Sequence, residues 1–141
     1  MPEIELHPLL VHFPIALFVT AFILWAASLI GRWNQLGSAA VIIYVIAAIA
    51  SVAAVLSGLN EANELHLHHP LVYAHRSFAI ITSLVSLASL PLLWFLNKRH
   101  QKLFSLVFSL CVLLCALLVA TTGYHGGRMV YEYGIGVAQD K

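Results

Sequence analysis

Four apolar stretches, each about as long as a helix must be to cross a bilayer, constrain this chain more than anything else in it. A spanning helix needs about 20 mainly apolar residues, and residues 12–30, 38–59, 70–96 and 103–122 meet that requirement. Breaks fall from Gly31 to Gln35, from Asn60 to His69 and from Asn97 to Lys102. Within lipid each backbone N–H and C=O has to be satisfied internally, so stretches of this kind fold as helices. The expectation is an all-α membrane protein, a four-transmembrane-helix up-down bundle. It forms one integral domain over residues 1–141, with an outer tail from 123 to 141. Pro14 and Pro70 fall in the first turns of spans one and three, where a missing amide hydrogen costs nothing. Pro91, late in span three, is expected to kink it.

Composition excludes the other classes. Charged side chains are only 9% of the 141 residues and apolar ones 61%, against roughly 25% charged in a soluble domain. A disordered chain, a coiled coil and an ordinary cytosolic domain are ruled out. The seven Lys and Arg never cluster into a basic face and the net charge is +1, so nucleic acid is not a partner. Cys111 and Cys115, four apart in an apolar run, share one helix face and make a poor disulfide framework. The acidic start MPEIELHP lacks the positive region of a cleavable signal peptide.

Charge then sets orientation. The loops after spans one and three hold Arg32, Lys98, Arg99 and Lys102 and no acid, whereas Glu3, Glu5, Glu61, Glu64, Glu132 and Asp140 all fall on the other side. Counted by the positive-inside rule, those four outweigh Arg76, Arg128 and the distal Lys141. Both termini are expected on the periplasmic face of a bacterial inner membrane.

The histidines follow the same division. Of eight, only His100 is at the cytoplasmic end; His7, His12, His66, His68, His69, His75 and His125 all come to the outer end. Ionisable groups in or near membrane spans suggest function by default. The halves echo one another: His7-Pro8-Leu9-Leu10-Val11-His12 opens span one and His69-Pro70-Leu71-Val72-Tyr73-Ala74-His75 opens span three. Ser57-Gly58 ends span two much as Thr122-Gly123 ends span four, which suggests two helical hairpins repeated about an axis along the membrane normal. Ala16 and Thr20 lie below His12 on its own helix face, and Ala79, Ser83 and Ser86 below His75. Such lanes suit close helix packing, and they also suit a flat macrocycle slipped between helices, since bundle cores are where helical proteins build cofactor sites. Ala47, Ser51, Ala54 and Gly58 form a comparable stripe in span two. Arg76 follows His75 and Arg128 lies three residues past His125; a guanidinium is suited to bidentate pairing with a haem propionate.

The segments HPLLVHFPIAL at 7–17 and TGYHGGRMVYEYGIGV at 122–137 resemble a bacterial four-helix membrane family known only as a domain of unknown function. The resemblance covers nearly the whole chain, through a His-Pro-x-x-Val-His opening and a Gly-Gly-x-x-Val-Tyr tail. His7, His12, His75, Gly126 and Gly127 match that pattern. Some members are joined to iron–sulfur or cytochrome c domains, which implies redox partners. The HLHH run at 66–69 and His125 are richer in histidine than the pattern.

Three readings of function follow. The first is a b-type cytochrome, binding one or two haems b, because imidazole is a standard axial ligand of haem iron and no Cys-x-x-Cys-His offers covalent attachment. Spans one and three are diagonal in an up-down bundle, so His12 and His75 are expected to face one another across the core. His125 could pair with either, or serve a second haem with His69 or His7. Such a protein would move electrons between quinone and periplasmic redox proteins, as an electron-transfer component or an oxidoreductase, and is compatible with homo-oligomers. The second is a haem-free Zn, Cu or Fe site in a transporter or sensor, for which Glu61, Glu64, His66, His68 and His69 are a suitable donor set. Against transport, the inner halves of the spans hold only Ser, Thr, Tyr44 and Trp25 as polar relief. A third option is an assembly factor whose histidines only stabilise the outer loops.

Overall fold

In the computed structural model the described residues are 6–31, 33–64 and 66–135. They form four helices, α1 (Leu6–Gly31), α2 (Asn34–Glu64), α3 (Pro70–Arg99) and α4 (Gln101–Tyr133), all long and apolar enough to cross a membrane. The expected all-α bundle is therefore what the chain builds. α1 packs chiefly on α2 and α3 on α4, while the α1–α4 and α2–α3 seams close the ring and leave α1 and α3 diagonal. Glu3, Glu5, Arg32, Asp140 and Lys141, which entered the orientation argument, lie outside the described residues, as do Gly136 and Val137 of the tail motif.

The helices outrun the apolar stretches. α4 has 33 residues, about 50 Å at 1.5 Å per residue against a hydrocarbon core of about 30 Å. Residues 123–133, assigned to the tail on hydropathy, thus continue α4. Its end is an αL closure: Gly134 sits at φ 62°, with Gly134 N–H donating to the Val130 carbonyl and Ile135 N–H to that of Met129. α3 begins with Pro70 as its first residue and the His69 ring nitrogen accepting the Leu71 N–H at 3.2 Å. Pro14 is not in a first turn, because α1 starts at Leu6; both Pro14 and Pro91 lie inside helices that continue through them.

Each helix presents one stripe with the three-and-four spacing of a left-handed bundle. On α2 it is Gly37, Ala40, Tyr44, Ala47, Ser51 and Ala54, all buried; on α4, Phe104, Phe108, Val112, Cys115, Val119 and Thr122. α3 contributes Thr82, Ser86, Ser89, Leu93 and Leu96, and α1 contributes Pro14, Phe18, Ala21 and Trp25. Side-chain size along these stripes divides the interior. Towards the Lys98 end, edge-on aromatics fill the core: Trp25 on Phe108 at 4.7 Å, Tyr44 on Phe108 at 5.3 Å and Phe18 on Tyr44 at 5.6 Å between ring centres. Such pairs contribute about 0.5–1.5 kcal/mol each beyond their buried area.

Polar groups in this half are satisfied within the bundle. Trp25 Nε1 donates to Ser109 Oγ at 2.8 Å. The Ser89 hydroxyl donates to the Ser86 carbonyl, so its oxygen accepts from Tyr44 at 3.0 Å, leaving the Tyr44 oxygen to accept the Cys115 thiol at 3.5 Å. Both cysteines are free. Towards the histidine end the stripes turn to Ala, Ser, Thr and Gly, and the filling stops.

The aromatic plug makes a stability prediction. Phe108→Ala should lower unfolding free energy in detergent by about 3–5 kcal/mol. Leu114→Ala, on an exposed flank of α4, should change it little.

Candidate functional site

At the histidine end the four stripes terminate in His7, Gly58, His75 and Gly126, imidazole on α1 and α3 and glycine on α2 and α4. The alternation is steric. A Cβ at Gly58 would lie 2.5 Å from His7 Cε1, and one at Gly126 would lie 3.2 Å from His75 Cε1 and Nδ1. Each glycine removes its side chain so that the ring of its hairpin partner can lie against the helix. The two rings then meet across the bundle diagonal, edge to face, with centres 6.2 Å apart.

Hydrogen bonding fixes the tautomers. His75 Nδ1 is 2.9 Å from the Thr122 carbonyl. A carbonyl only accepts, so Nδ1 carries the proton and neutral His75 keeps a lone pair on Nε2. His7 Nδ1 is 2.9 Å from Ser57 Oγ, and the Ser57 hydroxyl donates to the Ala54 carbonyl at 2.9 Å. The hydroxyl proton is committed there, so His7 also donates from Nδ1 and leaves Nε2 bare. Both imidazoles are in the form that metal-ligating histidines adopt, with the second nitrogen anchored.

The pair lines two adjoining cavities. The larger, about 420 Å³, lies between α1 and α4, floored by Phe18, Thr82 and Val119; ligand pockets run roughly 300–1,000 Å³. Its α4 wall includes Gly123, Gly126 and Gly127, and a Cβ at Gly123 or Gly127 would meet nothing within 4 Å. Helical glycine costs about 1 kcal/mol relative to alanine, and among the described residues no packing accounts for these two. The smaller cavity, about 60 Å³, adjoins the larger and shares His7, Glu61, His75 and Ala79 with it, with Arg76 in its lining alone.

The sequence-derived residues distribute as follows. His75 is half-buried and central, as expected, but the ring across from it is His7 and not His12. At about 100° per residue, positions 7 and 12 are roughly 140° apart on α1, so the two cannot share a face. His12 is exposed, donates Nδ1 to the Pro8 carbonyl and lines the edge of the large cavity. Ala16 and Thr20 beneath it are exposed too, so that lane faces away from the core. The lane under His75 does face inward: Ala79 lines both cavities, Ser83 bonds Ser51 at 3.1 Å, and Ser86 is fully buried.

His125 stacks on Phe78 at 5.4 Å, and its buried Nδ1 has no hydrogen-bond partner. His69 caps α3 and packs on Tyr133, and His68 Nδ1 meets the Tyr73 hydroxyl at 3.0 Å. Arg128 forks onto Glu132, with contacts of 2.7–2.9 Å. The loop carboxylates and histidines do not converge: among the described residues no group of three or more His, Cys, Asp or Glu is arranged to hold a metal ion. Sequence reasoning did not identify Ser57, Gly58 and Thr122 as histidine partners. The available signal was their position at the end of the same small-residue stripes.

A family model described as "Predicted membrane protein (DUF2231)" matches residues 3–139. No curated protein and no solved structure matches the chain.

The glycines separate two effects experimentally. Gly58→Ala has to displace the His7 ring, and nitrogen NMR of the imidazoles should register a changed His7 environment. Gly123→Ala and Gly127→Ala, into open space, should leave both rings unchanged and raise stability by up to about 1 kcal/mol each.

Proposed function

The chain belongs to the DUF2231 family of predicted membrane proteins, and we propose that it is a b-type haem protein of a bacterial inner membrane. On this reading it carries electrons between membrane quinone and redox proteins on the periplasmic side. The observation that carries the reading is the diagonal pair His7 and His75, each protonated on Nδ1 and bare on Nε2, at the wall of one apolar cavity. The two ring centres are 6.2 Å apart, so both imidazoles are within reach of one shared group. A bare ion such as zinc asks three or four ligands of the protein. Porphyrin brings four nitrogens of its own and asks for two, which is the number the bundle diagonal offers.

The residues present fit such a group. His7 and His75 would hold the iron, with His12 at the same cavity wall as the alternative ligand. Gly123 and Gly127 would let the macrocycle lie against the α4 backbone. Arg76 would pair with a propionate, a role in which Arg128 is already engaged by Glu132. His69 and His125 are the residues left for a second haem. When bound, the haem takes up and releases single electrons. The protein's own part is to anchor each imidazole, which raises its basicity as a ligand, and to exclude water from below with Phe18, Tyr44 and Phe108. The haem-free Zn, Cu or Fe alternative has less support, because the loop donors are not gathered.

The purified protein should show a Soret band and a b-type pyridine haemochrome. His7→Ala and His75→Ala should abolish the Soret band, while His66→Ala should leave it intact and His12→Ala should only perturb it. A colourless preparation loaded with zinc or copper contradicts the assignment. Arg76→Gln should weaken haem retention through loss of a charge-assisted bond worth about 1.5–3 kcal/mol. It should also lower the reduction potential, since removing a positive charge favours oxidised iron; Arg128→Gln should do less. A reporter fused at the C-terminus should read out as periplasmic, and a cytoplasmic signal would invert the orientation.

A further inference from the structure

The end of the bundle away from the imidazole pair carries charge of one sign. The turn between α3 and α4 holds Lys98, Arg99, His100 and Lys102 and no carboxylate, and all four side chains are exposed. Among the described residues no ion pair engages Lys98, Arg99 or Lys102, whereas Arg128 at the histidine end is held by Glu132. Exposed aromatics set the height of these cations. Tyr73 and Trp94 are 50% and 64% exposed on α3. They stand about 32 Å apart along the helix at 1.5 Å per residue, close to the roughly 30 Å of a hydrocarbon core. Tyrosine and tryptophan favour the two membrane–water boundaries, so Trp94 marks one of them. Lys98 is one turn further out, with Nζ 4.0 Å from the centre of the Trp94 ring. That cation–π contact holds the ammonium at the depth of lipid phosphates.

We infer that the α3–α4 turn is a binding site for an anionic phospholipid, with Lys98, Arg99 and Lys102 on the headgroup phosphate. The Gln101 side-chain amide donates back to Asn97, which keeps the α3 cations close to Lys102 on α4. The turn carries an open concavity of about 430 Å³, lined by His100, Gln101, Lys102 and Leu103. From Leu103 an apolar track runs down α4: Leu103, Leu106, Leu110, Leu113 and Leu117 are 41–59% exposed. At 100° per residue they fall within about 80° of one another around the helix. A free phosphate ion would use the cations and leave the track bare, whereas a phospholipid uses both, its acyl chain lying on the leucines. Charge selects the headgroup. A zwitterionic lipid brings its own ammonium to the three cations, and an anionic one brings none. Each basic side chain near an anionic lipid surface strengthens binding about fivefold. The site lies at the opposite end from His7 and His75, so it stands whether or not haem binds.

The test is native mass spectrometry of the full chain, released from detergent micelles that hold equal phosphatidylglycerol and phosphatidylcholine with matched acyl chains. The parent protein should retain phosphatidylglycerol over phosphatidylcholine by about fivefold or more. Lys98→Gln, Arg99→Gln and Lys102→Gln combined should bring the two lipids to parity. Lys98→Arg, Arg99→Lys and Lys102→Arg combined keep the charge and should keep the preference. All three side chains are exposed, so neither variant asks the core to repack. Inorganic phosphate, equimolar with the lipid, should not displace the phosphatidylglycerol. Equal retention of both lipids by the parent overturns the inference, as does a preference that survives in the glutamine variant. Displacement by phosphate also overturns it, because the turn would then be a simple anion site. Absence of a Soret band would remove the haem reading without touching this result.

Discussion

The bond from His75 Nδ1 to the Thr122 carbonyl, 2.9 Å long, is the interaction on which the rest of the site turns. An imidazole taken into a bundle interior has to satisfy its donor there, because an unmet polar group in an apolar setting costs several kcal/mol. The backbone carbonyl accepts, and by accepting it decides that Nε2 is the nitrogen left over. His7 reaches the same state through Ser57, whose own proton is committed to Ala54. The site therefore consists of two half-satisfied rings, each fixed in place on its satisfied side.

That arrangement depends on how the helices pack. Without a hydrophobic force between helices in lipid, association rests on close van der Waals contact and interhelical hydrogen bonds. The aromatic half supplies the contact, with Trp25, Tyr44 and Phe108 interlocked across α1, α2 and α4 and α3 joined through Ser89 to Tyr44. The histidine half then does not have to be tightly filled. Its small residues let α2 approach α3 through Ser51 and Ser83, while α1 and α4 enclose the large cavity. The hairpin repeat recurs at this level as a rule of composition, with imidazole on the first helix of each hairpin and a glycine cradle on the second.

Much of this was legible in the sequence. Four spans, their up-down order and the diagonal relation of the first and third follow from hydropathy and loop length, and His75 follows from its place above an inward lane. The choice between His7 and His12 did not follow. α1 is apolar on every side, so nothing in its pattern of polarity tells which face turns inward, and the hydropathy window placed its start at His12 when the helix begins at Leu6. Only the stripe His7, Pro14, Phe18, Ala21 and Trp25 carries the rotation, and it ends in a tryptophan whose indole N–H is bonded across to α4. Partnerships such as His75 with the Thr122 backbone were out of reach, since a carbonyl's availability is set by packing and not by residue type. The Arg128–Glu132 pair was readable from its i, i+4 spacing alone, and it bears on which arginine is available to a ligand.

On the reading proposed here, His7 and His75 are the two residues that would hold one haem iron. The most direct measurement is electron paramagnetic resonance of the purified, oxidised protein in lipid. The expected result is a low-spin ferric signal of the bis-imidazole kind that is lost in both His7→Ala and His75→Ala. A high-spin signal in the parent protein, or a low-spin signal that survives His7→Ala unchanged, would contradict it.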